Sequence, residues 1–195
     1  MKAITLAGFA DKFSQDADPW RTWDAPDEVL KRRAILHSLP NRTSGRMLEL
    51  GAGNGSNSRA LAARTLRPHA TEATEEGTAL VAKAIAGKDG ARAIQLIVPA
   101  APPLPAYDVI VIAELLYYLD DRAFATLARQ VAARLRPGGT VVLAHHRITF
   151  YDFAQHADGI QDRFLAATGL TWRRRIVRRT GRWVVLSCRA VRKPR

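Results

Sequence analysis

Cysteine is almost missing from this chain of 195 residues, since Cys188 is its one thiol. A single thiol cannot form an intrachain disulfide or a cysteine-rich metal site, and we expect Cys188 to pack in the core of a protein from a reducing compartment. Long hydrophobic runs are missing too: no stretch of about 18 apolar residues occurs, and polar residues follow the short apolar stretch near the N-terminus too soon for a typical signal peptide. These absences predict a cytoplasmic protein that binds neither a metal nor a membrane.

Acidic residues are scarce relative to basic ones. The chain has 18 Asp and Glu residues against 30 Lys and Arg residues, which gives a formal net charge of +12. A basic excess of this size is typical of proteins that meet nucleic acid or another polyanion. Ten of the last 25 residues are Lys or Arg, but they are not interleaved with the exposed aromatic residues that RNA-binding modules use. We prefer a solvated sheet edge for this segment and keep RNA binding as the alternative.

The chain contains enough apolar sequence for a core, since 47% of its residues are hydrophobic. Its length suits one ordinary domain, so we interpret residues 1–195 as a single domain. Between about residues 47 and 147, short apolar runs alternate with segments of helical period, a pattern typical of a parallel sheet with crossover helices. Strands are predicted at residues 46–50, 67–73, 93–98, 107–114 and 139–146.

One helix prediction is especially clear and covers residues 121–136. Asp120 or Asp121 can cap its first turn, and the Pro-Gly-Gly sequence after Arg136 ends it. Five apolar residues fall on one face at helical spacing: Phe124, Leu127, Ala128, Val131 and Leu135.

The C-terminal segment predicts a β-hairpin. The β-rich segments TWRRRIVRRT and WVVLSCRAV are joined by Gly181 and Arg182. The second strand of the hairpin, at residues 183–191, is expected to run against the others. With the five strands above, the prediction is an α/β fold with a doubly wound sheet of seven strands, mostly parallel with one antiparallel strand near the C-terminus.

The first forty residues differ in composition from the rest. The stretch DADPWRTWDAPDE precedes an amphipathic segment at about residues 26–39, whose apolar side chains cover a broad face. We therefore expect residues 1–40 to form an N-terminal helix and a lid.

The central motif is LELGAGNGS, in which Glu49, Gly51, Gly53 and Gly55 lie between a predicted strand and a predicted helix. Dinucleotide enzymes use Gly-x-Gly-x-x-Gly to seat a pyrophosphate at the helix N-terminus. Here the third glycine comes one residue early, and Ser56 occupies that position. The shorter loop fits a nucleoside that carries a zwitterionic amino acid, and three glycines cost conformational entropy that a simple turn would not require.

This motif resembles the first motif of the class I methyltransferases, whose pattern of an acidic residue and three alternating glycines is matched from Glu49 to Gly55. The resemblance implies S-adenosylmethionine as the cofactor and S-adenosylhomocysteine as the product, with the glycine backbone beside the methionyl part. It also implies a Rossmann-like sheet that ends in a reversed strand, whereas a nicotinamide-binding domain adds a further parallel strand.

Two further cofactor contacts follow from position along the chain. Glu72 lies 17 residues after Gly55 at the end of the second predicted strand, where an acidic side chain can accept both ribose hydroxyls. Its neighbours Glu75 and Glu76 are expected in the first turn of the next helix. Class I methyltransferases usually have an aspartate before the fourth strand, and this chain has prolines there. The resemblance therefore implies that adenine contacts come from the backbone near Ala100.

The carboxyl ends of the strands are where ligands bind in open α/β sheets, and this rule selects Glu114, Tyr117, Tyr118, His145 and His146. Methyl transfer from a sulfonium needs alignment and an unprotonated nucleophile more than acid catalysis. Glu114 is therefore the first candidate to accept an amine hydrogen bond or proton, and the two histidines are alternatives. A helix-capping role for Glu114 and ordinary loop roles for the histidines stay open. We expect one tyrosine to pack inward and the other to line the pocket, and Tyr118 is included among the catalytic candidates.

A closer similarity to the rhizobial nodulation protein S family covers most of the chain. It is carried by three segments, DPWRTWDAPDEVLKRR, YDVIVIAELLYYLDD and LRPGGTVVLAHHR. The similarity implies S-adenosylmethionine-dependent N-methylation of the free amine of a terminal glucosamine in a deacetylated chitooligosaccharide, with Glu114 positioning the amine. Trp20 and Trp23 then face a sugar ring, cover the cofactor or serve as packing anchors, and Arg21 contacts the cofactor carboxylate or a neighbouring acid.

The density of arginine in the hairpin departs from this family and leaves room for an anionic acceptor. Two alternative functions use the same hairpin: an RNA methyltransferase, and a noncatalytic subunit of the same fold that binds a partner. The sequence makes no prediction of the oligomeric state.

Overall fold

The protein was analysed as a computed structural model that describes residues 3–191. The chain forms one sheet of seven strands with helices on both faces. The predicted Rossmann-like α/β fold is confirmed. The strands are β1 (Ser44–Leu50), β2 (Thr65–Glu72), β3 (Arg92–Gln95), β4 (Tyr107–Ala113), β5 (Leu135–His146), β6 (Trp172–Arg179) and β7 (Trp183–Ala190). Their order in the sheet is β3-β2-β1-β4-β5-β7-β6. The helices are α1 (Leu6–Gln15), α2 (Pro26–Ser38), α3 (Ser56–Ala62), α4 (Glu75–Ala84), α5 (Asp121–Arg134) and α6 (Ile160–Ala167).

Strand direction agrees with the sequence prediction. β1 is parallel to β2 and β4, and β4 is parallel to β5. The reversed strand is β7, which lies between β5 and β6 and is antiparallel to both. The strand order reverses between β1 and β4, and this switch point brings their carboxyl ends side by side.

The core lies on both faces of the sheet. In β4, Ile110 and Ile112 face α5 and α6, whereas Val109 and Val111 face α2 and α3, and all four are fully buried. Strands covered on both sides are expected to be apolar at every position. The apolar run of β4 therefore places the residue that follows it, Glu114, at the edge of a tightly packed centre.

Local signals explain the element boundaries. Asp120 caps α5 because its side chain accepts a hydrogen bond from the amide of Ala123 at 2.7 Å. The helix ends at Arg134, earlier than predicted, because Leu135 already pairs with Tyr107 as the first residue of β5. The strand predicted at residues 93–98 is shorter, since β3 ends at Gln95 and a turn follows.

The N-terminal region has two helices, of which the sequence predicted one. α2 agrees with the predicted segment at 26–39. α1 was missed, although Thr5 caps it by accepting a hydrogen bond from the amide of Gly8 at 3.1 Å. α1 packs against α4 with Phe13 buried. Within residues 3–191, every helix is too short or too polar to span a lipid bilayer.

Candidate active site

The glycine turn, residues 51–55, joins β1 to α3. Its three glycines have φ angles of +66°, +60° and +82°, a region that disfavours side chains. A Cβ atom on Gly55 would lie 2.6 Å from the Cβ of Ala84, so this glycine is required by packing against α4. A Cβ on Gly53 would meet only the ring of Phe13, at 4.0 Å. The backbone at Gly53 therefore leaves space for a ligand to approach closely.

Glu72, the last residue of β2, lies beside this turn. The amide of Gly53 donates to its Oε2 at 2.9 Å, and the amide of Thr74 donates to Oε1 at 3.4 Å. Burial raises the pKa of Glu72, and the backbone hydrogen bonds offset part of this effect. A carboxylate has about four acceptor positions, so Glu72 can accept further hydrogen bonds from a ligand hydroxyl.

Glu49 occupies a different environment from Glu72. Its side chain is enclosed beneath α3, with 3% of the residue exposed, and it accepts a hydrogen bond from the hydroxyl of Ser58. The pKa of Glu49 is raised to about 7, mainly because the side chain is buried. The hydrogen bond from Ser58 lowers this pKa, and the charge of the nearby Glu72 raises it. The carboxyl group is therefore enclosed and bound to α3, the helix that follows the turn.

The segment between α1 and α2 is tied to the glycine turn. Asp18 accepts hydrogen bonds from the amide of Thr22 at 2.7 Å and from Nδ2 of Asn54 at 2.7 Å. The hydroxyl of Thr22 also donates to Oδ1 of Asn54 at 2.9 Å. Arg32 of α2 donates to the backbone carbonyls of Thr22 and Trp23. These contacts hold the DPWRTW stretch against the turn, and the sequence had not identified Asn54 or Asp18 as the link.

An aromatic cover, formed by Phe9, Phe13, Trp20 and Tyr118, lies over the carboxyl ends of the strands. Trp20 contacts Phe9 and Phe13 of α1, with ring centroids 6.0 and 5.4 Å apart. Phe9 contacts Tyr118 edge-on at 5.0 Å. The lid expected from residues 1–40 is thus linked by aromatic contacts to the strand ends.

Two predicted cofactor contacts have other partners. Arg21 is exposed, has a φ angle of +52° and forms an ion pair with Asp24 at 3.2 Å. Ala100 is exposed, and its amide donates to the carbonyl of Ile97 at 3.0 Å. A guanidinium group has five N–H donors, so Arg21 retains donors for a ligand, whereas a ligand contact at the amide of Ala100 requires its present hydrogen bond to be exchanged.

Glu114, directly after β4, is the centre of a buried charged cluster. We call Glu114, Lys31, Glu28 and Tyr117 the Glu114 network. The carboxylate of Glu114 accepts short hydrogen bonds from Nζ of Lys31 and from the hydroxyl of Tyr117, and it accepts a third from the amide of His146 at 3.1 Å. Burial alone would raise its pKa, but Lys31 and, to a lesser degree, the two neighbouring histidines outweigh it and lower the pKa to about 2. Glu114 is therefore ionised at neutral pH.

Lys31 is the component of this network that the sequence did not reveal. Only 2% of the residue is exposed, and its ammonium group also contacts Oε1 of Glu28 at 2.7 Å. Burial lowers the pKa of Lys31, but the two carboxylates more than reverse the effect and the pKa is raised. The spacing of Glu28 and Lys31 is typical of an exposed ion pair on a helix surface, so it gave no sign that the lysine turns inward.

Tyr117 and His145 lie deep in the structure. Tyr117 stacks on Phe153, with ring centroids 3.6 Å apart, and burial followed by the charge of Glu114 raises the pKa of its hydroxyl. His145 has no exposed surface and accepts a hydrogen bond from the amide of Leu116 at 3.4 Å. Burial lowers its pKa to about 4. His145 is therefore neutral and enclosed at neutral pH.

Tyr118 and His146 lie nearer the surface. Tyr118 packs between Phe9 and Phe153, and burial raises the pKa of its hydroxyl. Nε2 of His146 lies 3.9 Å from Oε1 of Glu114, and its ring meets the edge of Phe150 at 5.3 Å. Tyr117 thus packs inward, and Tyr118 belongs to the aromatic cover.

The strand ends divide the site into two halves. The glycine turn and Glu72 follow β1 and β2, whereas Glu114, Tyr118 and His146 follow β4 and β5. The first half offers backbone groups and a carboxylate to a nucleoside. The second offers an ionised carboxylate beside aromatic rings to a second reactant. This arrangement suits group transfer between two ligands held side by side.

Comparisons with known proteins identify the class of reaction. A family model described as a methyltransferase domain matches residues 24–181. No curated protein sequence matches the chain. Among solved structures, the chain is similar to the N-methyltransferase NodS from Bradyrhizobium japonicum WM9 in complex with S-adenosylhomocysteine, with 21% identity, a TM-score of 0.77 and coverage of 94% of this chain and 97% of that one.

Two other solved structures share the fold. The DhpI complex with S-adenosylhomocysteine is 20% identical, with a TM-score of 0.67 and coverage of 97% and 100% of the two chains. A methyltransferase from Aquifex aeolicus that depends on S-adenosylmethionine is 16% identical, with a TM-score of 0.68 and coverage of 93% and 98%. The family match, taken with the glycine turn and this fold, shows that the chain belongs to the methyltransferase-domain family and is an enzyme that uses S-adenosylmethionine.

Proposed function

We propose that the enzyme methylates the nitrogen of a small-molecule amine. The observation that carries this proposal is the ionised Glu114, whose side chain is 25% exposed at the end of β4 beside aromatic rings. An amine donates hydrogen bonds to a carboxylate, and aromatic faces attract the positive charge that develops on its nitrogen. A hydroxyl acceptor, in contrast, needs a stronger base than a carboxylate with a lowered pKa.

Two halves of the site take the two reactants in this proposal. The glycine turn contacts the methionyl part of the cofactor, Glu72 accepts the ribose hydroxyls, and the backbone near Ala100 borders the adenine. Trp20 covers the cofactor, and Arg21 donates hydrogen bonds to its carboxylate. Glu49 is a positioning residue that acts through the turn. The sulfonium supplies the methyl group by in-line displacement.

The acceptor nitrogen has one open position on Glu114. Oε2 already accepts from Tyr117 and from the amide of His146, whereas Oε1 accepts from Lys31 alone. Each carboxylate oxygen offers two acceptor positions, so an amine hydrogen bonds to Oε1. There the carboxylate orients the nitrogen and stabilises its growing positive charge.

Proton removal needs a second group, because a carboxylate with a pKa of about 2 is a weak base at neutral pH. His146 is placed for this role, since its Nε2 lies 3.9 Å from the same Oε1. His145 is enclosed and has a lowered pKa, so we assign it a supporting role. Tyr118, which belongs to the aromatic cover, borders the acceptor.

An amino sugar is the acceptor class that we favour. Phe150 and Tyr151 follow β5 near His146, and Tyr151 is 80% exposed. These two rings offer apolar faces on which a sugar ring can stack. The similar NodS structure is that of an N-methyltransferase, which supports a nitrogen acceptor.

The test uses radiolabelled S-adenosylmethionine and a set of paired acceptors. A deacetylated chitooligosaccharide is compared with the same oligosaccharide after N-acetylation, which blocks the nitrogen and keeps every hydroxyl. We expect methyl transfer to the first and none to the second. Equal labelling of both would indicate O-methylation, and labelling of RNA alone would contradict a small-molecule acceptor. Calorimetric titration with S-adenosylhomocysteine shows that the enzyme is folded in each assay.

A further inference from the structure

A basic cleft lies at the end of the sheet opposite to the glycine turn. It has a volume of about 930 Å³ and is bordered by the loop from α2 to β1, the start of β5, the edge strand β6 and its neighbour β7. A strand of seven residues, such as β4, spans about 20 Å, so the cleft is separated from the cofactor half by the length of the sheet. Four arginines line the cleft: Arg42, Arg136, Arg175 and Arg189.

The charge of the cleft is largely uncompensated. Asp108 is the only acidic residue among the described residues that line it, and it pairs with Arg136 at 2.8 Å. Within residues 3–191, no Asp or Glu side chain forms an ion pair with Arg42, Arg175 or Arg189. Three positive charges are therefore concentrated at one concave surface, which attracts anions strongly.

Backbone contacts hold two of these arginines in place. Arg175 donates to the carbonyl of His37 at 3.2 Å, and Nε of Arg189 donates to the carbonyl of Gly138 at 3.2 Å. A guanidinium group has five N–H donors, so each arginine retains donors for a ligand. The planar arrangement of these donors matches the oxygens of a phosphate group.

Further positive charge lies beside the cleft on β6. Arg173 of β6 lies directly opposite Arg189 of β7, and like charges in such a pair destabilise a sheet. Charged residues on an edge strand also prevent unwanted strand pairing, which accounts for the arginines of β6. It does not account for Arg42 and Arg136, which lie outside that strand. A bound anion would relieve the repulsion among all of them.

We propose that the basic cleft is a second binding site, which takes a polyanion through its phosphate groups. Among the described residues that line it, none is aromatic, so the cleft has no platform on which bases stack. Binding through phosphates alone is independent of base sequence. An inorganic polyphosphate and an RNA backbone share this chemistry. The site is remote from Glu114, so it does not depend on the proposed amine substrate.

The test measures binding of fluorescent RNA of mixed sequence to the full chain, with inorganic tripolyphosphate as competitor. The cleft variant is Arg175→Gln/Arg189→Gln. The matched control, Arg122→Gln/Arg129→Gln, removes the same charge from exposed positions on α5. At low salt we expect the cleft variant to lose affinity by about tenfold or more and the control by less than about twofold.

Salt titration provides a second readout. Each phosphate contact with a single strand contributes about 0.7 to the slope of log affinity against log salt, so the cleft variant should have a slope shallower by about 1.4. If tripolyphosphate displaces bound RNA, the cleft binds phosphate groups from either source, as proposed. If the protein binds tripolyphosphate but not RNA, the ligand of the cleft is a free polyphosphate. Equal losses in the cleft and control variants, or binding of neither ligand by protein that still binds S-adenosylhomocysteine, would overturn it.

Discussion

The glycine turn and the Glu114 network lie at neighbouring strand ends but are built in different ways. The turn consists of five consecutive residues, and its geometry depends on backbone conformation at three positive φ angles. The network joins side chains from α2 and from the end of β4, 83 positions apart in the case of Lys31 and Glu114. Its geometry depends on the burial of charge.

This difference predicts different weaknesses. A turn made of backbone fails when a side chain atom is added to it, whereas a buried charged network fails when one charge is removed. Stability and ligand binding should therefore respond to different substitutions in the two halves of the site.

The largest expected effect is on stability, from Lys31→Met. The substitution leaves Glu114 and Glu28 without their buried counter-charge, and breaking a buried ion pair costs about 3–5 kcal/mol. Chemical denaturation measures the loss. Arg33→Met, an exposed position on the same helix, is the control and should change the free energy of unfolding by less than about 0.5 kcal/mol. Equal effects would show that the network does not stabilise the fold.

The next effect is on turnover, from Glu114→Gln. The amide keeps the size of the side chain but removes the charge that orients the amine, so we expect kcat/KM to fall about 100-fold. Affinity for S-adenosylhomocysteine should stay within about twofold, because Glu114 lies in the acceptor half. In this variant Lys31 keeps only Glu28 as a charged partner, so thermal unfolding is measured in parallel to show that the variant is still folded. Unchanged turnover would remove Glu114 from the mechanism.

A smaller effect is expected on ligand affinity, from Gly53→Ala. The Cβ meets no close protein atom, but it occupies the space beside the proposed methionyl group, so affinity for S-adenosylhomocysteine should fall about tenfold, or about 1.4 kcal/mol. Gly87→Ala is the control, because Gly87 also has a positive φ, of +78°, and has open space around it. Each variant should lose about 1 kcal/mol of stability from backbone strain. A similar affinity loss in both would contradict a ligand contact at Gly53.

The last contrast is in the pH dependence of stability. The lowered pKa of Glu114 adds stability that is present above about pH 4.5 and is lost as the pH falls toward 2. The raised pKa of Glu49 has the opposite sign, since it reduces stability as the pH rises from about 4.5 to 7. Denaturation of Glu114→Gln between about pH 2 and 4.5, and of Glu49→Gln between about pH 4.5 and 7, should give opposite slopes relative to the parent enzyme, each at most about 1.4 kcal/mol per pH unit. Slopes of the same sign would contradict the assignment.

Sequence reasoning succeeded where neighbouring residues determine the structure. Asp120 capped a helix as predicted, and the apolar runs marked the central strands. The three glycines marked the turn between β1 and α3. Each of these features depends on residues a few positions apart, whose conformational preferences act before any tertiary contact forms.

The same reasoning failed where a local pattern had two meanings. The Glu28 and Lys31 pair follows the spacing of a surface ion pair, but packing of α2 on the sheet turned the lysine inward to Glu114. Asn54 lies between two glycines of the turn, and its hydrogen bond to Asp18, 36 positions away, depends on tertiary structure. α1 carried a readable signal, since Thr5 caps it and apolar residues recur at helical spacing.

Local sequence therefore established the α/β fold, the glycine turn and the carboxylate at the end of β2, because backbone preference and hydrophobic period act over short distances. Tertiary structure alone decided which carboxylates are ionised and what they contact. Glu49 and Glu114 are both acidic residues at or near the end of a buried strand, but one has a pKa of about 7 and the other of about 2. The reason is physical: burial raises the pKa of both, and only Glu114 has a buried lysine, brought from a distant helix, to reverse that effect.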